Sequence, residues 1–389
     1  TVCNTPSAML PLDTREPKGF FTDLQPQDFE GQFEWTARST RPTLNIDAAA
    51  TTLSRVDNVA VGAIWDNIHT INDNAGAGGF DFYEAKIDDT LKPGAYTVEP
   101  ENTRRVKVEG PSRRVALLSK RRTDILLVDI QDWPKGIFAD PMKVEGRASW
   151  YSFAFWLRIV AGALLDVDPQ ELQSGFRSLI GNGVHNPIGQ AFLCDQLENG
   201  AGYCRYLAQP SEFQKILQQA DATYASSTGQ PSVASKWMNR ATSIDHGLNC
   251  DTSCNLCLRD FGNLAYHGLL DWRLALDMAR VASSSLSKVD LVSDWHSQPN
   301  PWRDLIEGNG APVPTLLKQL GYDDPLSFGT LRVYKHSKRK KLLIECHPLW
   351  LEDHPDYQRT YADVRKQHAG FEIMRMNPFM ALRRPAVYI

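Results

Sequence analysis

Apolar residues along this chain change their spacing twice, and the changes mark out its stretches. The first 45 residues are rich in Pro, Asp and Thr, have little period, and read as an extended lead-in. From about Leu53 apolar and polar residues alternate (SRVDNVAVGAIWDNIHTIND), the two-residue period of half-buried strands. NDNAGAGG at 72–79 is a turn signal ahead of FDFYEAK, and 108–130 continues as strand, ending in the apolar run ILLVDI. Near Gly146 the period lengthens, and Trp150, Phe153, Trp156, Leu157, Val160 and Leu164 recur at helical spacing.

Local signals place the later elements. Asp168, Pro169 and Glu171 predict the start of a second helix, with Asp168 as cap, Pro169 in the first turn and Glu171 closing a capping box. QAFLCD at 190–195 predicts a short strand, and the turn 200–202 leads into a helix over 203–207. A further helix is expected over 211–225, capped by Ser211. Residues 264–282 predict an amphipathic helix with Leu270, Leu274, Met278 and Val281 on one face. Ser, Pro and Gly punctuate 284–330, after which 331–334 and 342–345 form a hairpin around KHSKRKK. No internal repeat is evident. The expected fold is α/β of the α+β kind, in three units: a β-rich unit over 1–145, a helical unit over 146–285 and a small α/β cap over 286–389.

A chain of 389 residues suits two or three packed units. Apolar content of 42% with 23% charged residues excludes wholesale disorder. A net charge of −4 exerts no global pull on nucleic acid, so such binding needs local patches. The longest apolar run, 150–165, is interrupted by Arg158 and falls short of the roughly 20 residues of a membrane span, so it reads as a helix buried in protein and no membrane partner is expected. The first residues lack an initiating Met and a signal-peptide pattern, so a fragment, a processed product or one piece of a larger polypeptide is expected. Cys3, Cys194, Cys204 and Cys346 are scattered singly, which fits a reducing cytoplasm better than a secreted disulfide scaffold.

The other three cysteines, Cys250, Cys254 and Cys257, form C-x3-C-x2-C. Two thiolates separated by two residues converge when the backbone turns, as Zn²⁺ at about 2.3 Å from each sulfur requires. His246 would supply a fourth ligand as H-x3-C-x3-C-x2-C; His267 and Cys204 are alternatives. A redox C-x-x-C accounts less well for the third cysteine and flanking histidine. No H-E-x-x-H accompanies the cluster, so a closed structural zinc site is expected rather than a catalytic one. The bland alternatives are three cysteines packed as small hydrophobes and His246 as an ordinary loop histidine.

Two basic segments could meet phosphates. Between 104 and 122 eight cations, Arg104, Arg105, Lys107, Arg113, Arg114, Lys120, Arg121 and Arg122, stand against one acid, Glu109. Gly110-Pro111 is expected to fold this segment back and bring two basic pairs together. The hairpin turn displays Lys338, Arg339, Lys340 and Lys341. Such clusters bind DNA by releasing condensed counterions, although a solvated face is the commoner fate of a charge run. Trp35, Trp65, Tyr151 and Trp272 could stack on bases but belong to predicted core faces. Glu345, Cys346 and His347 end a strand without the D…E-x-K set of a metal-dependent nuclease, and no G-x-S-x-G elbow occurs.

The stretch CDTSCNLCLRDFGNLAYHGLLDWRLALDMA at 250–279 resembles the zinc-binding MZB-type module found C-terminal to the motor of superfamily-two DNA helicases, and the DrmB module of DISARM phage defence. The matching elements are CD-x-x-C-x-x-CL at 250–258, Asn263, His267 and LLDWRLALD at 269–277. REPKGFFTD, INDNAGAGGFDF, the segment 149–172 and FLCDQLENGAGYCRYL continue the likeness in order over most of 10–285. HPLW at 347–350 and the ending RRPAVYI look like large defence helicases of the Druantia DruE kind. The resemblance implies a zinc-stabilised module working with a helicase on DNA in antiviral defence. The chain departs from a complete helicase: it has no G-x-x-x-x-G-K-[ST] loop and no DExH motif, and Gly200–Gly202 lacks the Lys and Ser/Thr that hold phosphates. ATP is therefore not expected on this chain, and a motor is expected elsewhere in the polypeptide or on a partner. A zinc-stabilised protein-interaction scaffold and an unrecognised nuclease remain as alternatives.

Overall fold

The structure is a computed structural model and describes residues 12–18, 41–44, 52–74, 77–87, 95–97, 102, 106–181, 183, 185–224, 229–241, 250, 252–295 and 299–389. The chain divides into two compact units. One comprises Thr1–Ile46, Trp65–Thr123 and Phe261–Ala265; the other comprises Asp47–Ile64, Asp124–Asp260 and Tyr266–Ile389. Runs of strands and runs of helices alternate along the chain around mostly antiparallel sheets, giving an α+β fold.

The first nine strands are β1 (Thr14–Arg15), β2 (Arg41–Leu44), β3 (Ser54–Val56), β4 (Val59–Asn72), β5 (Phe80–Ile87), β6 (Tyr96–Thr97), β7 (Val106–Ile130), β8 (Leu172–Leu179) and β9 (Ile188–Asp195). In the first unit β2 pairs antiparallel with the end of β4, β5 pairs antiparallel with β6 and with the start of β7, and β1 runs parallel to β7. The described parts of the lead-in thus include two short strands. Gly110-Pro111 does not reverse the chain. It sits in a register shift where Phe82 pairs with Arg113 and Glu84 with Glu109, and β7 runs on for 25 residues. A bulge absorbs the extra residues because both flanks keep their ladder to β5.

In the second unit the end of β7 pairs antiparallel with β9, and β9 with β8. Helix α1 (Val144–Leu165) packs on β8 and β9. The ring of Trp150 lies so close to Gly189 that a Cβ there would stand 2.2 Å from it, and its indole N–H donates to Ala139 O at 2.9 Å. α1 is long and apolar enough to cross a membrane, but 72% of that window is buried inside the protein, so its apolar side chains build core.

The next helices are α2 (Tyr203–Leu207), α3 (Pro210–Ala220), α4 (Val233–Ala241) and α5 (Trp272–Ser283). Three expectations need correction. Asp168 does cap, accepting from Gln170 N at 2.8 Å, but only one 3-10 turn follows before the chain enters β8. Pairing from Leu172↔Asp195 to Leu179↔Ile188 overrides the local helix signal. In α3 Gln209, not Ser211, is the cap residue, with Pro210 in the first turn, and the helix ends at Ala220. The helix expected over 264–282 begins only at Trp272, with Asp271 as cap accepting from Arg273 N at 3.0 Å. Residues from Trp272 through Ala282 are all buried, so α5 is a core helix without a solvent face, and Arg273, Asp277 and Arg280 are buried with it.

After α6 (Arg303–Ile306) and α7 (Pro312–Gln319) comes a four-stranded sheet in the order β10 (Leu326–Phe328), β11 (Leu331–His336), β12 (Lys341–Glu345) and β13 (Glu372–Met376). The expected hairpin is β11–β12, antiparallel from Val333↔Ile344 to His336↔Lys341. β13 lies parallel to β12, and α8 (Pro355–Gln367) is the crossover that parallel pairing requires. α9 (Pro378–Arg383) comes last of the α-helices, and a 3-10 turn over Pro385–Tyr388 follows it.

Candidate metal centre

The thiols of Cys250, Cys254 and Cys257 converge, with their sulfurs all within 4.8 Å of one another. The turn that achieves this is closed by the amides of Cys257 and Arg259, which both donate to Cys254 O at 3.0 Å. Two further amides point at sulfur: Cys254 N donates to Cys257 Sγ at 3.0 Å and Leu256 N to Cys254 Sγ at 3.4 Å. Such N–H donors favour the anionic, metal-binding form of a thiol.

The Cys250–Cys257 sulfur separation is 3.8 Å, and neither residue is in a disulfide. A tetrahedral ion about 2.3 Å from each sulfur sets its ligands about 3.8 Å apart, so the edge matches zinc–thiolate coordination. The thiol of Cys250 is pushed far up by its hydrogen bond with Cys257, by burial and by the charge of the other two sulfurs. Three thiolates cannot share this space alone; a divalent cation among them reverses the sign of the interaction. The residues present therefore fit a divalent soft-metal ion.

The loop is tied to its surroundings on two sides. Trp272 N, at the start of α5, donates to Thr252 O at 3.0 Å. Arg158 of α1 makes an ion pair with Asp260, three residues past Cys257, with both side chains largely buried. Arg158 interrupts the apolar run of its helix because it has this partner. His246 lies outside the described residues. His267 stands apart from the sulfur group, with Nε2 3.0 Å from Asp260 O. Cys204 is wholly buried in the core, its amide donating to Asp195 Oδ1 at 2.9 Å, and burial together with Asp195 holds its thiol well up; it does not join the three sulfurs.

The basic segments differ in their surroundings. Arg104 and Arg105 lie outside the described residues. On β7, Arg114 grips Asp81 with two bonds at 3.0 and 2.8 Å, Arg113 lies 4.0 Å from Asp13, and Lys120 lies 3.7 Å from Glu16. Arg122 sits over the ring of Trp65 at 5.9 Å. Lys107 is exposed and Arg121 half-buried. On the β11–β12 turn Lys338, Arg339 and Lys340 are exposed and make no ion pair among the described residues, while Lys341 donates to Ile389 O at 3.0 Å and lies 3.9 Å from Glu372.

Sequence reasoning missed a buried polar network in the second unit. Asp277 Oδ2 accepts from Trp302 Nε1 at 2.7 Å and lies 2.9 Å from His347 Nε2. Glu345 is paired with Arg332 at 2.7 Å and accepts from the Tyr334 hydroxyl at 3.2 Å. An acid at mid-helix among apolar residues, as Asp277 is, was the available signal.

No family model matches the chain. It is 29% identical over 208 residues to the Druantia protein DruE of Escherichia coli (strain UMEA 4076-1), covering 52% of this chain and 10% of that protein. The crystal structure of the DUF1998 helicase MrfA bound to DNA is similar at a TM-score of 0.30 and 10% identity, covering 63% of this chain and 26% of that one, a likeness too low to carry its fold across. The chain is thus similar to the Druantia protein DruE over half of its own length, and spans 10% of that protein.

Proposed function

We propose that the chain is a zinc-binding, DNA-associated module of a helicase system in prokaryotic antiviral defence, working in the cytoplasm with a motor supplied by the same polypeptide or by a partner subunit. The observation that carries the reading is the convergence of the Cys250, Cys254 and Cys257 sulfurs within 4.8 Å. In this reading those thiolates hold zinc with a fourth ligand, His246. The ion supplies structure rather than chemistry: it closes the loop and, through the Thr252–Trp272 bond, sets the start of α5. The MZB-type likeness of 250–279 and the sequence relationship to DruE support the helicase association. Cations of the basic segments that are free of carboxylate partners would touch phosphates without reading bases.

Elemental analysis of the purified chain tests the metal, with one zinc per chain expected; no stoichiometric transition metal, with the three thiols freely alkylated in the native protein, overturns it. DNA binding measured across a salt series tests the association. Affinity that falls with salt is expected. A zinc-stabilised protein-interaction scaffold is the second reading, favoured by the acids that already pair with cations of β7. Binding that is absent at low salt, or unmoved by salt, selects it. Incubation with DNA and Mg²⁺ is expected to leave the DNA intact, because Glu345 is engaged by Arg332 and Tyr334.

A further inference from the structure

We infer that DNA phosphates are held by the β11–β12 turn, through Lys338, Arg339 and Lys340, and that Arg113, Arg114 and Lys120 of β7 serve the fold of their own unit instead. The inference rests on the DNA-association reading above and divides the two basic segments that the sequence leaves equivalent.

Charge availability separates them. A cation already bound to a carboxylate has no counterions to release and must break its pair to take a phosphate. Arg114 is bound through two bonds to Asp81, and Arg113 and Lys120 have Asp13 and Glu16 within 4.0 Å. The three turn cations are exposed and unpaired among the described residues. Two acids stand near the turn, and each faces another group: Asp323 accepts from the Ser337 hydroxyl at 3.3 Å, and Glu372 lies beside Lys341.

The backbone of the turn supplies an independent observation. Lys340 has φ of 52°, the left-handed region that suits Gly, Asn or Asp and strains a long side chain. The turn is nonetheless braced: Lys340 N donates to Ser337 O at 3.4 Å, and Glu372 N donates to Lys340 O at 2.8 Å. Pairing of His336 with Lys341 fixes its base. A cation kept at a position where a glycine would relax the chain, on a turn held at both ends, is the arrangement of a preorganised phosphate contact.

The test uses the full chain and measures fluorescence anisotropy with a duplex and a single-stranded oligonucleotide from low to high salt. Replacing Lys338, Arg339 and Lys340 together by Gln should weaken binding at least about tenfold at low salt and shrink the salt slope by about 2 to 3, at ~0.9 per duplex phosphate lost. The pair Arg113→Gln and Arg114→Gln should leave affinity and slope unchanged. Lys340→Gly should keep or raise Tm while lowering affinity. If the wild-type chain binds DNA but the turn variant binds as well, or the β7 variant loses as much, the inference falls and the DNA-association reading stands. A Lys340→Gly chain that is more stable and binds equally well also overturns it. A wild-type chain with no DNA binding at low salt removes both.

Discussion

His347 Nε2 and Asp277 Oδ2 meet at 2.9 Å with both side chains wholly shielded from solvent. His347 Nδ1 accepts from Leu349 N at 3.2 Å, so Nε2 carries the hydrogen that Asp277 receives. The bond joins α5, which comes after the cysteine loop, to the end of β12. His347→Leu leaves a buried carboxylate with one donor fewer and is expected to cost about 3 kcal/mol. His347→Gln, which keeps an N–H donor, should cost less. Urea midpoints of the two variants check this, and equal small shifts for both would show that the bond carries little.

Metal removal should act on the cysteine loop and the start of α5. With zinc held by three thiolates, Cys257→Ser is expected to lower metal affinity by more than about 100-fold, since loss of an outer-shell partner alone costs 10- to 100-fold. Chelation of the wild-type chain should lower Tm and speed amide exchange at Trp272, whose N–H is bonded to Thr252 O in the loop. Exchange at Trp272 that ignores the chelator would separate the loop from the helix.

Stability should decline as pH rises from the acid range to neutrality. Burial pushes the Glu345 carboxyl up from 4.5 to about 7, against the pull of Arg332 and Tyr334. Burial likewise lifts Asp129 from 3.8 to about 6. A carboxyl whose folded value is raised stabilises the fold fully below its unfolded value and loses that contribution as pH climbs through the folded one. For Glu345 the window is about 4.5 to 7, and the loss is of order 3 kcal/mol. Denaturant titrations of wild type and Glu345→Gln across that window check the sign: the variant should show a flatter profile, and a wild type that gains stability over this range contradicts it.

The Arg158–Asp260 pair holds the cysteine loop against α1, with side chains 9% and 18% exposed. At that burial the two substitutions should not add. A double-mutant cycle of Arg158→Met and Asp260→Asn is expected to give a coupling of about 1 to 3 kcal/mol. A coupling near zero would mean that solvent or other groups compensate each charge.

Much of the frame was legible because its signals are local. α1 is set by helical spacing, β9 by one apolar run, α2 by the turn before it, and β11–β12 by two short runs around a polar turn. The cysteine cluster was legible for the same reason, as its three thiols fall within eight residues and need only one turn to meet. The segment after Asp168 misled because capping residues mark a turn without deciding whether a helix or a strand comes next. Residues 264–271 misled because apolar spacing does not distinguish the 3-10 turns over Phe261–Tyr266 from the α-helix that starts at Trp272.

The sequence alone determined which segments alternate, which recur at helical spacing and where three thiols could converge, since each depends on neighbours a few residues apart. Only the tertiary structure decided the partners of charged groups. Asp277 and His347 are 70 residues apart in sequence, Arg158 and Asp260 are 102 apart, and Arg114 finds Asp81 across a strand pair. A charge in a sequence shows that a partner or water is required, but the choice between them is made by burial, and burial is a property of the packed chain.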